Sequence, residues 1–110
     1  MNMIDGYCHC GLSKYEPLPV LERVMAKSNI SRAVLVQHLG EFDNSYIKSI
    51  IDDDPQRFAG VFLVDHEKED SIEKLIKWVE TGSFSGVRLS IESLETNRLL
   101  WVESVRSGLN

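Results

Sequence analysis

Cys8-His9-Cys10, close to the start of the chain, gathers three side chains that can ligate a metal. Thiolate and imidazole suit zinc, but paired ligands in structural zinc sites stand two to four residues apart, a wider spacing than this. On a strand Cys8 and Cys10 share one face and His9 takes the other, so the three converge only where the strand has ended. The alternative is that both cysteines are small buried hydrophobes. Further along, Gln37-His38, Asp65-His66 and Arg88 with Ser90 are the other groups fit for chemistry. Arginine pairs bidentately with carboxylates, so Arg88 either takes a substrate carboxylate or forms an internal ion pair with Asp5, Asp65 or Glu92. A guanidinium set between Val87 and Leu89 is not left buried and unpaired. His38 either faces substrate or sits on a loop, and His66, inside Asp65-His66-Glu67-Lys68-Glu69-Asp70, reads as part of a solvated polar loop. Tyr7 is a ligand, a hydrogen-bond donor at the mouth of a site, or core. No catalytic residue is assigned by residue type alone.

The elements that must position these residues recur in order. Four short apolar runs, Met3-Ile4-Asp5-Gly6-Tyr7-Cys8, Ala33-Val34-Leu35-Val36, Val61-Phe62-Leu63-Val64 and Val87-Arg88-Leu89-Ser90-Ile91, are each followed by a segment of helical periodicity. The two middle runs are continuous and too short for helices, as in parallel strands covered on both faces. The first helix opens near Pro17-Leu18-Pro19, with Leu18, Leu21, Val24 and Met25 on one face. The second follows Asp43-Asn44-Ser45, buries Tyr46, Ile47, Ile50 and Ile51, and stops at Pro55. The third starts with Asp70-Ser71-Ile72-Glu73, carries Ile72, Leu75, Ile76 and Val79, and ends at Gly82. The fourth starts near Thr96-Asn97 with Leu99, Val102 and Val105 inward and ends at Gly108. Trp78 and Trp101 fall at helical positions and read as packing.

This alternation predicts an α/β fold with a parallel sheet and right-handed crossovers. Two architectures fit, a small doubly wound sheet and half of a (β/α)8 barrel. A doubly wound sheet carries a phosphate loop at its switch point, and Gly6 and Gly11 make no such fingerprint. The reading taken is four consecutive βα units, the N-terminal half of a (β/α)8 TIM-type barrel, with residues 1–110 as a single partial domain. A full barrel takes roughly 250 residues. In such folds the working residues gather at the C-terminal ends of the strands, where Tyr7, His9, His38, His66 and Arg88 all fall.

The totals narrow the partners. Seventeen acidic against twelve basic residues give a net charge of -5, with no basic stripe, which argues against nucleic acid. No apolar run approaches the roughly 20 residues that span a bilayer, and the first residues lack a signal-peptide pattern. Cysteines this close rarely bridge, so free thiols in a reducing, cytoplasmic compartment are expected.

Ile4-Asp5-Gly6-Tyr7-Cys8-His9 resembles the first-strand signature of the amidohydrolase superfamily, in which His-x-His follows an aspartate-small pair. Ser31-Arg32-Ala33-Val34-Leu35-Val36-Gln37, Asp43-Asn44-Ser45-Tyr46, Pro55-Gln56-Arg57-Phe58-Ala59-Gly60-Val61, Phe84-Ser85-Gly86-Val87-Arg88-Leu89, Leu100-Trp101 and Ser107-Gly108-Leu109 continue the likeness in order. Together they resemble amidohydrolase family 2, whose members include lactonases and decarboxylases built on a (β/α)8 barrel. The resemblance implies a hydrolase of small carboxylated compounds, using zinc or manganese where a metal is used. Of the family's metal ligands it carries over only His9, because Tyr7 stands at the other histidine position. The family's further ligands follow later strands, so the metal site is incomplete here and the chain is expected to be inactive alone. Arg88, Tyr7 and His38 are the substrate-binding candidates. The rival reading is a non-catalytic half-barrel that self-associates as a homodimer or binding module, since two open sheet edges favour pairing.

Overall fold

The computed structural model describes the backbone of residues 3–8 and 17–108 and the side chains of residues 17–108. His9 and Cys10, and the side chains of Asp5, Tyr7 and Cys8, lie outside the described residues. The elements run β1 (Met3–Cys8), α1 (Leu18–Lys27), β2 (Ile30–Val36), α2 (Ser45–Asp53), β3 (Phe58–Leu63), α3 (Ser71–Glu80), β4 (Gly86–Arg88), α4 (Ile91–Thr96) and α5 (Arg98–Arg106). The strands form one parallel sheet in the order β1-β2-β3-β4.

Sequential order separates the two architectures. A doubly wound sheet reverses direction at a switch point, whereas here each strand lies beside the one before it and the helices pack into one core. That core joins Met25, Ile47, Ile50, Ile51, Leu75 and Leu100 from the helices to Ala33, Leu35, Phe58, Phe62 and Val87 from the strands. Side chains alternate across a strand, so Val34, Val36, Val61, Leu63 and Arg88 occupy the opposite face. Among the described residues the helices cover one side of the sheet; on the other, Val36 and Leu63 are buried and Val34 and Val61 half-buried.

Local chemistry explains most of the boundaries. Proline opens α1 at Pro17, and the main-chain N–H of Leu18 donates to the Tyr46 hydroxyl at 2.8 Å, so a side chain from α2 serves the start of α1. Met25 is buried, but Val24, expected beside it, is 52% exposed. Before α2 and α3, Asn44 and Asp70 stand at the cap positions without capping through their side chains. Asp43 takes over at α2, its carboxylate accepting from the main chain and hydroxyl of Ser45. Gly82, with φ at +73°, closes α3 in the left-handed conformation that glycine adopts freely. Gly60 has a different reason: a Cβ there would meet Ile51 Cδ1 at 2.3 Å and Phe84 at 3.2 Å. Only glycine lets α2 sit this close to β3.

The fourth unit departs from expectation. Its strand is three residues long, because Ser90 caps a new helix by accepting from the Ser93 N–H, and Ile91 becomes helical. The helical stretch then breaks at Asn97, whose side chain caps α5. Leu99, Val102 and Val105, expected inward, are 68%, 55% and 70% exposed, while Leu100 and Ser104 are buried. Starting α5 at Arg98 phases its inner face toward α3 and turns the valines away. No helix among the described residues is long and apolar enough to cross a membrane.

Candidate active site

Beyond the C-terminal ends of β3 and β4 lies a cavity of about 370 Å³, lined by Asp65, His66, Arg88, Ser90 and Glu92 with Leu39, Phe42 and Leu63. Arg88 reaches it from the sheet face that carries no helices. Its Nη1 donates to the main-chain carbonyl of Gln37 at 2.9 Å. Neither Asp65 nor Glu92 forms an ion pair with Arg88, and the third partner weighed from the sequence, Asp5, has its side chain outside the described residues. Among the described residues the neutral Gln37 carbonyl is its acceptor, a contact that leaves the guanidinium charge uncompensated and its fork suited to an anion.

A buried polar network holds that carbonyl in place. Gln37 is 2% exposed, and its amide donates to Asn44 Oδ1 and the Asp43 carbonyl, both at 3.2 Å, while its own oxygen accepts from the His38 N–H. Asn44 is fully buried. It donates to the Leu63 carbonyl at 2.9 Å and the Phe42 carbonyl at 3.2 Å, and accepts from the Leu63 N–H at 3.2 Å. One asparagine thus ties the end of β2 to the end of β3, as a strand would have done had either continued. Reasoning from the sequence took Asn44 for a helix cap. Its place after a strand end and a loop was the available signal, but the partners are too distant in the chain to read.

His38 is buried directly after β2 and does not line this cavity, so the structure does not bring it together with Arg88 there. His66 sits on the polar loop expected of it, half-buried. Its Nδ1 lies 3.1 Å from the Thr96 hydroxyl, and its carbonyl accepts from Asn97 Nδ2 at 3.0 Å. Donor atoms of His66, Glu67 and Glu92 all lie within 4.8 Å of one another, the set among the described residues able to hold a metal. A second cavity, about 500 Å³, opens between the starts of α2 and α3, with Lys68, Lys74 and Lys77 set against Asp43, Asp65 and Asp70. Its balanced charge selects neither sign of ligand. At its edge the Ser45 hydroxyl, then the Ser45 N–H, hold the Asp43 carboxyl below its ordinary range; Lys77 adds to this and burial opposes it.

Trp78 packs edge-on against Phe84, and Trp101 donates to the Ser93 hydroxyl at 2.7 Å, so both tryptophans serve packing.

The family model described as Amidohydrolase matches residues 15–99. No curated protein sequence matches the chain. Among solved structures, a probable 2-pyrone-4,6-dicarboxylic acid hydrolase from Acinetobacter baumannii, crystallised with citric acid bound, superimposes with a TM-score of 0.67 at 22% identity. That match covers 97% of this chain and 45% of the other. A Pseudomonas putida protein provisionally ascribed the same activity gives a TM-score of 0.59 at 24% identity, over 78% of this chain and 36% of its own. An apo structure from Agrobacterium tumefaciens gives 0.54 at 19% identity, over the same shares. The chain therefore spans less than half the length of these structures, and at such identities the likeness speaks for the fold: part of a TIM-like barrel.

Proposed function

The chain belongs to the amidohydrolase family, and from that premise we propose that residues 1–110 form the N-terminal half of a cytoplasmic (β/α)8 barrel hydrolase acting on a small carboxylated compound. The reaction is hydrolysis, of a lactone or similar carbonyl compound, or decarboxylation. Arg88 is the observation that carries this reading. It stands on the sheet face turned away from the helices, at the strand end where barrel enzymes work, steadied by a neutral carbonyl and without a carboxylate partner among the described residues. Its task is to bind and orient the substrate carboxylate.

When bound, a divalent metal such as zinc or manganese supplies carbonyl polarisation and an acidified water in this chemistry. The chain's own residues do not complete the family's centre. His9 is one ligand where three or four are required, and the described donor set, His66 with Glu67 and Glu92, follows β3 and opens α4 rather than extending β1. The 110-residue chain is therefore inactive alone, and its share of the work is substrate binding.

Calorimetric titration with citrate, the ligand of the Acinetobacter structure, tests Arg88. Arg88→Ala should weaken binding at least tenfold and Arg88→Lys less, since a lysine keeps the charge without the fork. Equal affinity in wild type and Arg88→Ala would sink the reading. The mass of the protein as its own cells make it adds a second check: about 30 kDa fits a whole barrel, and 12.5 kDa fits a free-standing half.

The exposed Ile91, Leu99, Val102 and Val105 favour a second reading, a non-catalytic half-barrel that pairs with its own copy. Light scattering on the purified chain separates the two, because a homodimer weighs twice 12.5 kDa.

A further inference from the structure

We propose that the Arg88 cavity takes a monocarboxylate with an apolar body and rejects compounds that carry a second carboxylate. This substrate class rests on Arg88 as the carboxylate anchor and adds what the rest of the cavity demands of the molecule held there.

The first observation is a pair of apolar side chains left open to water. Leu39 is 57% and Phe42 41% exposed, and both line the same cavity as Arg88, beside the buried Leu63 and Val64. Apolar surface in water is unfavourable, and small-molecule sites are mostly apolar pockets in which a few polar groups fix orientation. The loop that carries the two side chains is braced. The Glu41 N–H donates to the His38 carbonyl at 3.2 Å, closing a turn in which Gly40 takes φ of +91°. Asn44 Nδ2 then donates to the Phe42 carbonyl at 3.2 Å. Leu39 and Phe42 are thus held at the cavity by their own main chain, and the apolar body of a ligand anchored at Arg88 covers them.

Charge is the second observation, independent of the first. Arg88 is the one lysine or arginine among the described residues that line the cavity, and Asp65, Glu67 and Glu92 line it as well. Carboxylate oxygens of Glu67 and Glu92 come within 4.8 Å of each other. Neither forms an ion pair with a lysine or arginine among the described residues. The guanidinium fork matches one carboxylate. A second carboxylate on the same ligand has no further cation in this wall to meet and is repelled by the acidic side chains. These carboxylates act by exclusion, and discrimination of this kind is a difference between two affinities.

Calorimetric titration of the full chain with benzoate, terephthalate and citrate tests both halves of the proposal. Benzoate and terephthalate share a ring and differ by one carboxylate. Benzoate should bind about fivefold tighter than terephthalate or better, and the double variant Glu67→Gln, Glu92→Gln should close most of that gap. It should do so by tightening terephthalate and citrate, with benzoate unchanged within about twofold. Phe42→Ala should weaken benzoate about fivefold and leave citrate, which has no apolar body, unchanged. The substituted side chains are exposed, and circular dichroism verifies that the variants fold. Terephthalate binding as tightly as benzoate, no saturable benzoate binding, an unchanged gap in the double variant, or full benzoate affinity in Phe42→Ala would each overturn the proposal. Arg88→Ala separates it from the reading it rests on. Carboxylates that bind equally well without Arg88 remove the anchor itself, whereas binding that needs Arg88 but shows no benzoate preference removes the substrate class alone.

Discussion

Helices α2 and α5 carry apolar residues at similar helical spacing and have opposite fates. Ile47, Ile50 and Ile51 of α2 are all buried against β3, close enough that Gly60 must lack a side chain. Leu99, Val102 and Val105 of α5 remain exposed, and α5 is held to α3 through Leu100 and Ser104. The neighbourhood makes the difference. Around α2 stand strands and helices on either hand, whereas β4 is an edge strand and, among the described residues, no further element packs beyond α5. An amphipathic pattern states that a face needs cover without stating which neighbour provides it. The polar chemistry differs as well: Asn44 is a buried tie between the ends of the central strands β2 and β3, while His66 and Glu92 meet at an open rim beyond β3 and β4.

Truncation should separate the two regions most sharply. Phe62→Ala, at a fully buried position touching Phe84, should cost about 3–5 kcal/mol in urea unfolding. Val102→Ser, on the exposed face, should fall within about 0.5 kcal/mol. A Val102→Ser loss above about 1 kcal/mol would break the comparison, because it would mean that this face is covered in solution by a second copy.

Asn44→Ala comes next. It strips the Leu63 N–H of its partner inside the protein, at an expected cost of about 2–3 kcal/mol. It should also loosen the Gln37 carbonyl and so weaken citrate binding, whereas Val102→Ser on the outer face of α5 should leave citrate binding intact. A neutral Asn44→Ala would show that water replaces the tie and that Arg88 is steadied by other means.

The smallest effect concerns pH. The Asp43 carboxyl is depressed below its ordinary 3.8 by the Ser45 hydroxyl, then by the Ser45 N–H, with Lys77 assisting. A depressed carboxylate stabilises the folded state fully above its unfolded value and loses that contribution as pH falls through the folded one. The stability gap between wild type and Asp43→Asn should therefore be constant from pH 5 to 7 and shrink below about pH 4. A gap independent of pH would show that Asp43 acts as a hydrogen-bond acceptor alone.

The strand–helix alternation, the stops at Pro55 and Gly82 and the position of Arg88 at a strand end were all legible in the sequence. Each depends on the period of apolar residues or on the backbone preference of one residue, and both are properties of a short stretch of chain. His38 and Arg88 were read alike as strand-end residues, and only the packing of β2 separated them by burying one away from the cavity that receives the other. Asn44 looked like a cap because its true partner, Leu63, belongs to the next strand. The inner face of α5 depended on the break at Asn97, where a cap that also reaches His66 and Ser71 rotates everything after it. Tertiary structure decided these points because hydrogen-bond geometry and helix phase are set by groups brought close only when the sheet is assembled, and such groups leave no periodic trace along the chain.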